Sequence, residues 1–502
     1  MSENQTSLNS CAAWTEKASQ ITIPAHSWVN GKPVAALRGA TQTCFNPATG
    51  AVLAELPDNA PEDADAAVRV ARHTFNSGVW SAMAPKDRKR ILLRWADLIE
   101  QHQHEIALLE TLDVGKPISD TLNIDVPSAV NTIRWTAEAI DKIYGEIAPT
   151  AAGTLALIQR LPLGVVLAIV PWNFPLSTTA WKLAPALAAG NSVILKPDPK
   201  TPLTALQLAA LATEAGLPDG VLNVLPGDGI NLGQHLSLHP DIDGQTFTGS
   251  TAVGKLLMQY AGQSNLKRTF LELGGKSANI VFADADLDKA ALWAAVAGFY
   301  NCGQTCTAGT RLLIQQSVYD EVIERVIENS QSWTPGNPLD PDTRMGAVID
   351  QNQINTIQKY IQIGQQEGAR LVLGGKPVAD SGSNGCFHQA TLFADVDNNM
   401  TIAQEEIFGP VVSAIPFKDA ADAIRIANDS RYGLAGAVWS QNISTALSVA
   451  NGVRTGTMGV NNYFGGDITV PFGGFGESGN GRDKSLHALN DYSELKTTWI
   501  EY

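Results

Sequence analysis

Residues 163–196 read LGVVLAIVPWNFPLSTTAWKLAPALAAGNSVILK and contain the pattern that decides the fold. Two short apolar runs, LGVVLAIV and SVILK, flank the helical stretch STTAWKLAPALAAG. Apolar runs of strand length that alternate with helices predict parallel strands joined by crossover helices. Because ligands bind at the carboxyl ends of such strands, the PWNFP loop (171–175) and Lys196 are predicted to lie at a ligand site.

The same alternation continues through the apolar runs GVLNVL and QTFT, and it repeats after residue 270 in SANIVF, LDKAALWAAVAGFY and RLLIQQ. A chain of 502 residues is also too long for one core, since single cores stop growing near roughly 250–300 residues. We therefore predict an α/β protein with two doubly wound parallel-sheet domains. The tail ELKTTWIEY (494–502) alternates apolar and polar residues, which is typical of an edge strand that pairs with another subunit.

The composition, with 44% hydrophobic and 17% charged residues, is typical of a globular protein. A net charge of −15 disfavours nucleic acid as a partner, because phosphate binding needs basic patches. The first residues do not resemble a signal peptide, and no uncharged apolar stretch reaches the roughly 18 residues of a spanning helix, so no membrane partner is expected. Five cysteines at irregular spacing do not predict a disulfide framework, so we expect a reducing, cytoplasmic location.

A loop with two cysteines follows the predicted helix LDKAALWAAVAGFY and reads NCGQTCTAGT (301–310). A loop between packed elements can expose a nucleophile, and the thiolate of Cys302 or Cys306 would be the reactive form. The local sequence equally allows two ordinary, half-buried small residues. Because no second pair of Cys or His residues lies nearby, the spacing does not predict zinc, and no metal is expected.

Two polar residues at predicted strand ends are candidates for acid–base and oxyanion chemistry. Glu272 lies between leucines at the end of an apolar strand, where burial raises the pKa of a carboxyl and tunes it as a base or acid. A solvent-facing position on an edge strand is the alternative. Asn173 lies in the middle of the PWNFP loop, where its amide can either donate to a developing oxyanion or cap a turn.

The stretch TGSTAVGK (248–255) follows an apolar run and opens a helix, whose N-terminal N–H groups suit a pyrophosphate. It nearly matches the P-loop pattern of ATPases. Leu256, however, stands where Ser or Thr should hold Mg²⁺, so the ATPase interpretation is disfavoured. Gly227, Gly229 and Gly233 resemble a dinucleotide fingerprint with altered final spacing, and Lys196 can reach a ribose or phosphate.

Together these stretches resemble the aldehyde dehydrogenase superfamily, from about residue 27 to the C-terminus. Its motifs occur here as PWNFP with Asn173, KP with Lys196, FTGST (247–251), ELGGK with Glu272, NxGQxC with Cys306, EEIFGP (405–410) and PFGG (471–474). Seven separate motifs in one order are far more specific than any one of them. The NxGQxC spacing also distinguishes Cys306 from Cys302.

The resemblance implies that an aldehyde is oxidised to its acid through a cysteine thioester. Cys306 attacks the aldehyde, the Asn173 amide and the backbone N–H of Cys306 hold the oxyanion, and Glu272 activates the water that releases the acid. A catalytic role for Lys182 is also implied. The residues expected to bind NAD or NADP are Trp172, Lys196, Gly229, Gly249, Ser250, Val253, Glu406, which holds a ribose, and Phe408, which packs beside it.

The resemblance also implies a fold of three parts. An NAD(P)-binding domain comprises residues 1–144 and 161–271, and a catalytic domain comprises residues 272–471. A small β oligomerisation element comprises residues 145–160 and 472–502, so we expect a homodimer or homotetramer.

One residue departs from the family pattern. The family segment usually runs K-P-x-E, where the glutamate favours a free ribose 2′-hydroxyl, but Pro199 stands at that place here. A proline side chain neither accepts a hydrogen bond from that hydroxyl nor repels a 2′-phosphate. The expected cofactor is therefore NAD or NADP, without strict preference for NAD.

The segments RWTAEAIDKIYGEIAP (134–149) and NNYFGGDITVPFGGFGESGNGRDKSLHAL (461–489) are most similar to the branch that acts on ω-amino aldehydes, including γ-glutamyl-γ-aminobutyraldehyde and guanidinobutyraldehyde dehydrogenases of polyamine breakdown. On this resemblance, Asp125 or Asp467 faces the substrate tunnel and attracts a cationic tail, unless both are surface charges. Trp181 and Phe174 line its walls. The alternatives are a general aliphatic aldehyde dehydrogenase, a thioesterase and a non-catalytic binding or structural member of the family. A redox role for Cys302 stays open.

Overall fold

The computed structural model describes residues 8–378 and 384–502. Its strands, in chain order, are β1 (Ser27–Val29), β2 (Lys32–Val34), β3 (Thr41–Phe45), β4 (Val52–Pro57), β5 (Glu146–Ala148), β6 (Thr154–Pro162), β7 (Val165–Ile169), β8 (Ser192–Lys196), β9 (Leu222–Val224), β10 (Gly244–Thr248), β11 (Arg268–Glu272), β12 (Ala278–Val281), β13 (Arg311–Gln315), β14 (Arg370–Leu373), β15 (Pro377–Val378), β16 (Phe387–His388), β17 (Thr391–Ala394), β18 (Val411–Phe417), β19 (Ala435–Trp439), β20 (Thr457–Val460) and β21 (Ser493–Glu501).

The α-helices, in chain order, are α1 (Cys11–Gln20), α2 (Pro61–Ser77), α3 (Pro85–Gln101), α4 (Gln103–Val114), α5 (Ile118–Asp120), α6 (Val126–Ala139), α7 (Pro175–Ala188), α8 (Leu203–Glu214), α9 (Gln234–Leu238), α10 (Thr251–Gln263), α11 (Leu287–Phe299), α12 (Tyr319–Ser330), α13 (Gln351–Gln366), α14 (Thr401–Gln404), α15 (Ala420–Asn428), α16 (Ile443–Gly452) and α17 (Ala488–Asp491).

The first large sheet has the strand order β11-β10-β7-β8-β9-β1-β2. The five strands from β11 to β9 are parallel, and β1 and β2 add an antiparallel edge. Strands β7 and β8 and the helix between them, α7, are the unit predicted from residues 163–196. The chain leaves β7 toward β8 on one side and later returns to β10 on the other side. The carboxyl end of β7 is therefore a switch point, where open α/β sheets bind ligands.

The second large sheet has the strand order β14-β17-β18-β13-β12-β19-β20. Strand β14 is antiparallel to its neighbour, and the other strands are parallel. Its side chains and those of α11, α12 and α13 form a separate hydrophobic core. The predicted α/β fold with two doubly wound sheets is confirmed. The chain enters β13 through the loop that contains Cys302 and Cys306.

A third, smaller sheet has the order β21-β6-β5. Strand β21 pairs antiparallel with β6 along its whole length, from Ser493 opposite Pro162 to Glu501 opposite Thr154. No described strand pairs with the other edge of β21, and the side chains of Leu495 and Trp499 on this strand are each 60% exposed. The division of the chain at residues 144, 160, 271 and 471, and the role of this sheet in oligomerisation, stay predictions.

The segment that precedes β21 packs on the first domain. The Asn191 amide donates to the carbonyl oxygen of Tyr492 at 2.9 Å, and Leu489 and Tyr492 are buried in the core beside α7. The first domain therefore includes side chains from the end of the chain. Within residues 8–378 and 384–502, no helix combines the length and the apolar character needed to cross a bilayer.

Candidate active site

A cavity of about 1120 Å³ lies where the two large sheets face each other. Most of the side chains singled out from the sequence line it: Asp125, Trp172, Asn173, Phe174, Trp181, Lys196, Gly229, Gly249, Ser250, Val253, Cys306, Glu406 and Phe408. Three others, Glu272, Lys182 and Asp467, are not part of its surface. The loops after β7, β8 and β10 contribute one side and the loop before β13 the other. A single cavity thus brings together these side chains, which lie up to 283 residues apart in the chain, from Asp125 to Phe408.

Cys306 lies half-buried on the cavity wall, while Cys302 is buried and donates its thiol to the Gly346 carbonyl oxygen at 3.2 Å. The two differ because the backbone turns sharply between them. Asn301, Cys302 and Gly303 have φ angles of +50°, +56° and +66°, a left-handed conformation that L-residues adopt at an energetic cost. This strained turn directs Cys306 into the cavity. Burial, then the carboxylates of Glu406 and Glu272, raise the pKa of the Cys306 thiol to about 12.

Asn173 is buried beside the Cys306 loop. Its amide nitrogen donates to the carbonyl oxygen of Gln304 at 2.8 Å, and the Asn301 amide donates to the carbonyl oxygen of Asn173 at 3.1 Å. These two bonds connect the PWNFP loop to the cysteine loop. An amide nitrogen has two N–H groups, so one remains for an oxygen atom in the cavity.

Glu272 is the last residue of β11 and is 2% exposed. Neither of its carboxylate oxygens has a hydrogen-bond partner among the described residues. The side chain rests against Gly473, where a β-carbon would lie 2.6 Å from its Oε1. Burial, and next the charge of Asp483, raise the pKa of Glu272 well above its ordinary value. Glu272 therefore occupies the buried strand-end position expected from the sequence, not the solvent-facing alternative, and its carboxyl lies behind the cavity wall yet close enough to affect the pKa of Cys306.

Lys182 on α7 does not line the cavity and forms a buried ion pair with Asp483, with Nζ and Oδ2 2.6 Å apart. Asp483 itself lines the cavity, and the pair lies close enough to Glu272 for both charges to affect its pKa. The sequence analysis did not identify Asp483. Its partner lies 301 residues away, so no local pattern could reveal the pair.

The cofactor-binding candidates lie at the carboxyl ends of β8 and β10. The Lys196 ammonium is buried, and its only hydrogen bond within the described residues is to the neighbouring Pro197 carbonyl oxygen, at 3.3 Å. The Thr248 hydroxyl has no partner among the described residues. Ser250 caps α10 by accepting from the N–H of Val253, and the first turn of α10 faces the cavity. A buried cation, an unpartnered hydroxyl and a helix N-terminus together fit a dinucleotide with its pyrophosphate.

Glu406 and Phe408 line the same cavity between these groups and Cys306. Glu406 accepts a hydrogen bond from the N–H of Gly275 at 3.0 Å, and burial raises its pKa to about 7. Phe408 has a φ of +56° and meets the ring of Trp172 edge-on, with centroids 5.2 Å apart. A carboxylate beside two aromatic rings fits a ribose and the planar ring attached to it. Pro199 also lines the cavity and offers no side-chain hydrogen bond there.

The two aspartates predicted to face the substrate have different surroundings. Asp125 lines the cavity but forms a buried ion pair with Lys116 at 2.7 Å. Asp467 is exposed, lies outside the cavity surface and accepts from the N–H and hydroxyl of Thr469. The prediction that Asp467 faces the tunnel is therefore wrong. The Asp467 carboxylate is held by a turn with Thr469, two residues later in the chain. A sequence resemblance alone does not reveal such a contact.

Aromatic side chains form the wall at this end of the cavity. Trp181 packs against Phe472 with ring centroids 5.2 Å apart, and Phe174 packs against Tyr300 at 6.2 Å. The Lys116 ammonium lies 3.7 Å from the centroid of Phe174, behind the wall. Trp181 and Phe174 thus lie where the sequence analysis expected them. Among the described residues, no group of three or more His, Cys, Asp or Glu side chains is arranged to hold a metal ion.

Comparisons with known proteins agree with this arrangement. The model of the aldehyde dehydrogenase family matches residues 35–498. The NADP/NAD-dependent aldehyde dehydrogenase PuuC of Escherichia coli K12 is 51% identical over 97% of this chain and 98% of its own. The crystal structure of the aldehyde dehydrogenase KauB from Pseudomonas aeruginosa has a TM-score of 0.97 and 54% identity, covering 98% of this chain and all of that one. The γ-glutamyl-γ-aminobutyraldehyde dehydrogenase structure from Burkholderia cenocepacia J2315 has a TM-score of 0.96 and 52% identity, covering 98% and 99%.

Proposed function

Since the chain belongs to the aldehyde dehydrogenase family and is an NAD(P)-dependent aldehyde dehydrogenase, we propose that its substrate is an aldehyde with a nitrogen function at the far end of its carbon chain. Such aldehydes arise in polyamine and amino-acid breakdown. The likeness to the γ-glutamyl-γ-aminobutyraldehyde dehydrogenase over 98% of this chain carries the proposal. The long cavity with aromatic walls supports it, because methylene chains pack well on aromatic faces.

In the proposed mechanism, the Cys306 thiol gives up its proton to solvent, and the thiolate sulfur forms a bond to the aldehyde carbon while the carbonyl oxygen becomes an oxyanion. The free N–H of the Asn173 amide and the backbone N–H of Cys306 donate to that oxyanion. The nicotinamide cofactor, when bound, supplies the acceptor for the hydride that leaves this carbon. The carbon is thereby oxidised to a thioester on Cys306. Thiol addition is needed because a planar aldehyde cannot expel hydride, whereas the tetrahedral adduct can.

Glu272 acts as the base of the second half-reaction. It takes a proton from a water molecule, the water oxygen attacks the thioester, and the acid leaves as the bond to sulfur breaks. The carboxyl must turn from its rest position against Gly473 to reach this water. No hydrogen bond within the described residues restrains it there, so the rotation breaks none.

Lys182 is a positioning residue in this proposal. Its ion pair with Asp483 places one positive and one negative charge beside Glu272, and the lysine lowers the pKa of that carboxyl while the aspartate raises it. The pair therefore adjusts how readily Glu272 gives up its proton. Removing only one partner would leave the other charge buried and unpaired, a destabilisation of roughly 3–5 kcal/mol.

The cofactor is NAD or NADP, and we propose which residues hold it. Lys196 and the first turn of α10, with Ser250 and Val253, would hold the phosphates and the adenosine ribose. Glu406 would accept from the hydroxyls of the nicotinamide ribose, and Phe408 would pack beside that ring. Gly229, Gly249 and Trp172 complete the surface. Pro199 leaves room for a 2′-phosphate, so use of NADP is expected together with NAD.

We also propose that the protein forms a homodimer or homotetramer in the cytoplasm. The unpaired edge of β21, with Leu495 and Trp499 exposed, suits pairing with a second copy. All five cysteines lie in the described parts of the chain and are free, which suits a reducing compartment.

Formation of reduced cofactor, followed by its ultraviolet absorbance, tests the function. The purified protein is assayed with 3-aminopropanal, 4-guanidinobutanal and hexanal, each with NAD and then with NADP. A higher kcat/KM for the nitrogen-bearing aldehydes supports the proposal. Equal or better use of hexanal would instead identify a general aliphatic aldehyde dehydrogenase. Ester hydrolysis without any aldehyde oxidation would point to the thioesterase alternative, and no turnover at all to a binding protein.

A further inference from the structure

Lys484 brings a primary amine into the cavity in which the aldehyde reacts. Of the lysines that the structure describes, two line this cavity: Lys196, among the cofactor-binding candidates, and Lys484, beside Trp181 and Phe472. The Lys484 Nζ lies 4.5 Å from the ring centroid of Trp181 and 5.5 Å from that of Phe472. In the described part of the chain, this nitrogen has no hydrogen bond and no ion pair. The amine therefore lies in an aromatic corner of the cavity without a polar partner.

The backbone keeps the amine in this position. Lys484 and Ser485 have φ angles of +62° and +52°, which few side chains adopt. Asp483 exchanges two backbone hydrogen bonds of 2.8 Å with Phe472, and the N–H of Ser485 donates to the carbonyl oxygen of Ile468 at 2.8 Å. The turn is thus strained and anchored on both sides. Strain of this kind is concentrated at functional positions, which points to a role for the side chain that the turn presents to the cavity.

The surroundings of Lys484 favour the neutral, nucleophilic form of its amine. Burial lowers the pKa of the ammonium below its ordinary value, although the charges of Asp483, Asp467 and Cys306 act in the opposite direction. Neither aspartate forms an ion pair with this ammonium, since Asp483 pairs with Lys182 and Asp467 is bonded at the exposed surface. A desolvated lysine in an apolar pocket is the kind that adds to carbonyl groups.

We propose that Lys484 forms a reversible imine with aldehydes that enter the cavity. The lone pair of Nζ bonds to the aldehyde carbon, and the carbonyl oxygen leaves as water with the two protons of the neutral amine. The carbon keeps its oxidation level, so the step needs no oxidant or reductant. Addition of water reverses it and releases the aldehyde unchanged.

An imine at Lys484 competes with the reaction at Cys306. The bound carbon chain packs against Trp181 and Phe472, on the aromatic wall that a substrate chain would otherwise cover. A second aldehyde is then not positioned for attack by the Cys306 sulfur. Excess aldehyde should therefore inhibit the enzyme reversibly. This inference requires only that aldehydes enter the cavity, and it does not depend on the proposed nitrogen-bearing substrate class.

Reductive trapping tests the imine directly. The unaltered enzyme is incubated without added cofactor, so that no aldehyde is oxidised, with hexanal or with 4-guanidinobutanal. Sodium cyanoborohydride reduces any imine to a stable secondary amine, and mass-spectrometric peptide mapping locates it. Lys289 is the matched reference, because its ammonium also lies near an aromatic ring, 6.0 Å from the centroid of Trp439, but the side chain is exposed and outside the cavity.

The expected result is that Lys484 is alkylated at least tenfold faster than Lys289 by one or both aldehydes. If neither aldehyde labels Lys484 faster than Lys289, the proposal is overturned. Because this measurement uses the unaltered enzyme, it does not depend on whether a variant folds.

Steady-state kinetics with both aldehydes tests the inhibition. In the unaltered enzyme the initial rate should pass through a maximum as the aldehyde concentration rises. In Lys484→Arg the rate should instead rise to a plateau, because a guanidinium keeps the positive charge but has no free lone pair for attack. Lys289→Arg should keep the maximum. A maximum at the same concentration in Lys484→Arg would overturn the inhibitory role of the imine, whereas the ranking of kcat/KM for the two aldehydes decides separately on the proposed function.

Discussion

At the scale of single residues, the two neighbouring cysteines illustrate how position determines reactivity. Cys306 lies on the cavity wall, whereas Cys302 is buried against the Gly346 carbonyl. Cys306→Ala should therefore abolish aldehyde oxidation, because no other described thiol lines the cavity. Cys302→Ala should retain most activity and lower the free energy of unfolding by about 1 kcal/mol through lost packing. Alkylation by iodoacetamide with mass-spectrometric mapping checks the different accessibility of the two thiols, since Cys306 should react before the buried Cys302. Modification of Cys302 before Cys306 would contradict the assignment.

The pH dependence of Glu272 follows from its burial. Its pKa is raised well above the ordinary value, so the deprotonated form that acts as a base becomes dominant at a higher pH than for an exposed carboxyl. The rate of thioester hydrolysis should rise with pH until that raised pKa is passed. In Glu272→Gln the rate should fall by roughly 10²–10⁴-fold and lose this dependence. Rapid-quench kinetics measures the rate of thioester hydrolysis, because it resolves the first turnover from the later ones. The first turnover should persist in the variant, and its loss would mean that Glu272 acts before the thioester forms.

Replacing Pro199 by glutamate should change the preference of the enzyme between NAD and NADP. In Pro199→Glu a carboxylate would face the adenosine ribose, where it accepts from a 2′-hydroxyl and repels a 2′-phosphate. The ratio of kcat/KM for NAD to that for NADP should rise at least about tenfold, equivalent to 1.4 kcal/mol. Pro199→Gln is the control, since it adds a polar side chain without charge and should discriminate less. A Glu variant that uses both cofactors as the parent does would place the 2′-position elsewhere.

Single residues also show what the sequence could and could not predict. Cys306, Asn173 and Glu406 were identified because each lies in a contiguous motif, and the structure brings all three to one cavity. Asp483 and Lys484 were missed, because their importance depends on contacts with α7, far away in the chain. The hypothesis for Asp467 failed for the opposite reason. It lies in a motif-rich segment, but a local turn holds its carboxylate in solvent.

At the scale of elements, the unit of β7, α7 and β8 was predictable because its hydrophobic pattern is local and continuous. The left-handed turn before Cys306 was not, since two of its three residues are not glycine. Gly303 is its tightest point, where an added β-carbon would lie 2.2 Å from the Gly409 carbonyl oxygen. Gly303 and Gly409 are far apart in the sequence, so no pattern around Gly303 predicts their contact.

Gly303→Ala should therefore lower the free energy of unfolding by about 2 kcal/mol or more, and displacement of the Cys306 loop should reduce kcat by roughly 10²-fold. Gly368→Ala is the matched control. Its φ is +96° but an added β-carbon would have no atom within 4 Å, so only backbone strain of about 1 kcal/mol is expected. Urea unfolding and steady-state kinetics of both variants check this. Equal effects of the two substitutions would show that the contact with Gly409 is unimportant.

At the scale of the whole molecule, the exposed edge of β21 determines how copies can associate. Replacing Leu495 and Trp499 together by lysine places two charges on that strand, which blocks edge pairing. The double variant should sediment as a monomer. Leu37→Lys, at an exposed leucine far from this sheet in the chain, should leave the sedimentation coefficient of the parent unchanged. A double variant that still sediments as the parent does would locate the interface on another surface.

The buried pair of Lys182 and Asp483 has a consequence for biosynthesis. Lys182 is translated 301 residues before Asp483, and the core beside α7 is complete only after Leu489 and Tyr492 have been added. While the ribosome is still adding those last residues, the nascent first domain has a lysine without its counter-charge and an unfilled core. Contacts of such long sequence separation form late. The nascent chain should therefore stay catalytically silent and open to chaperones until residues 483–492 have been translated and have packed on the first domain.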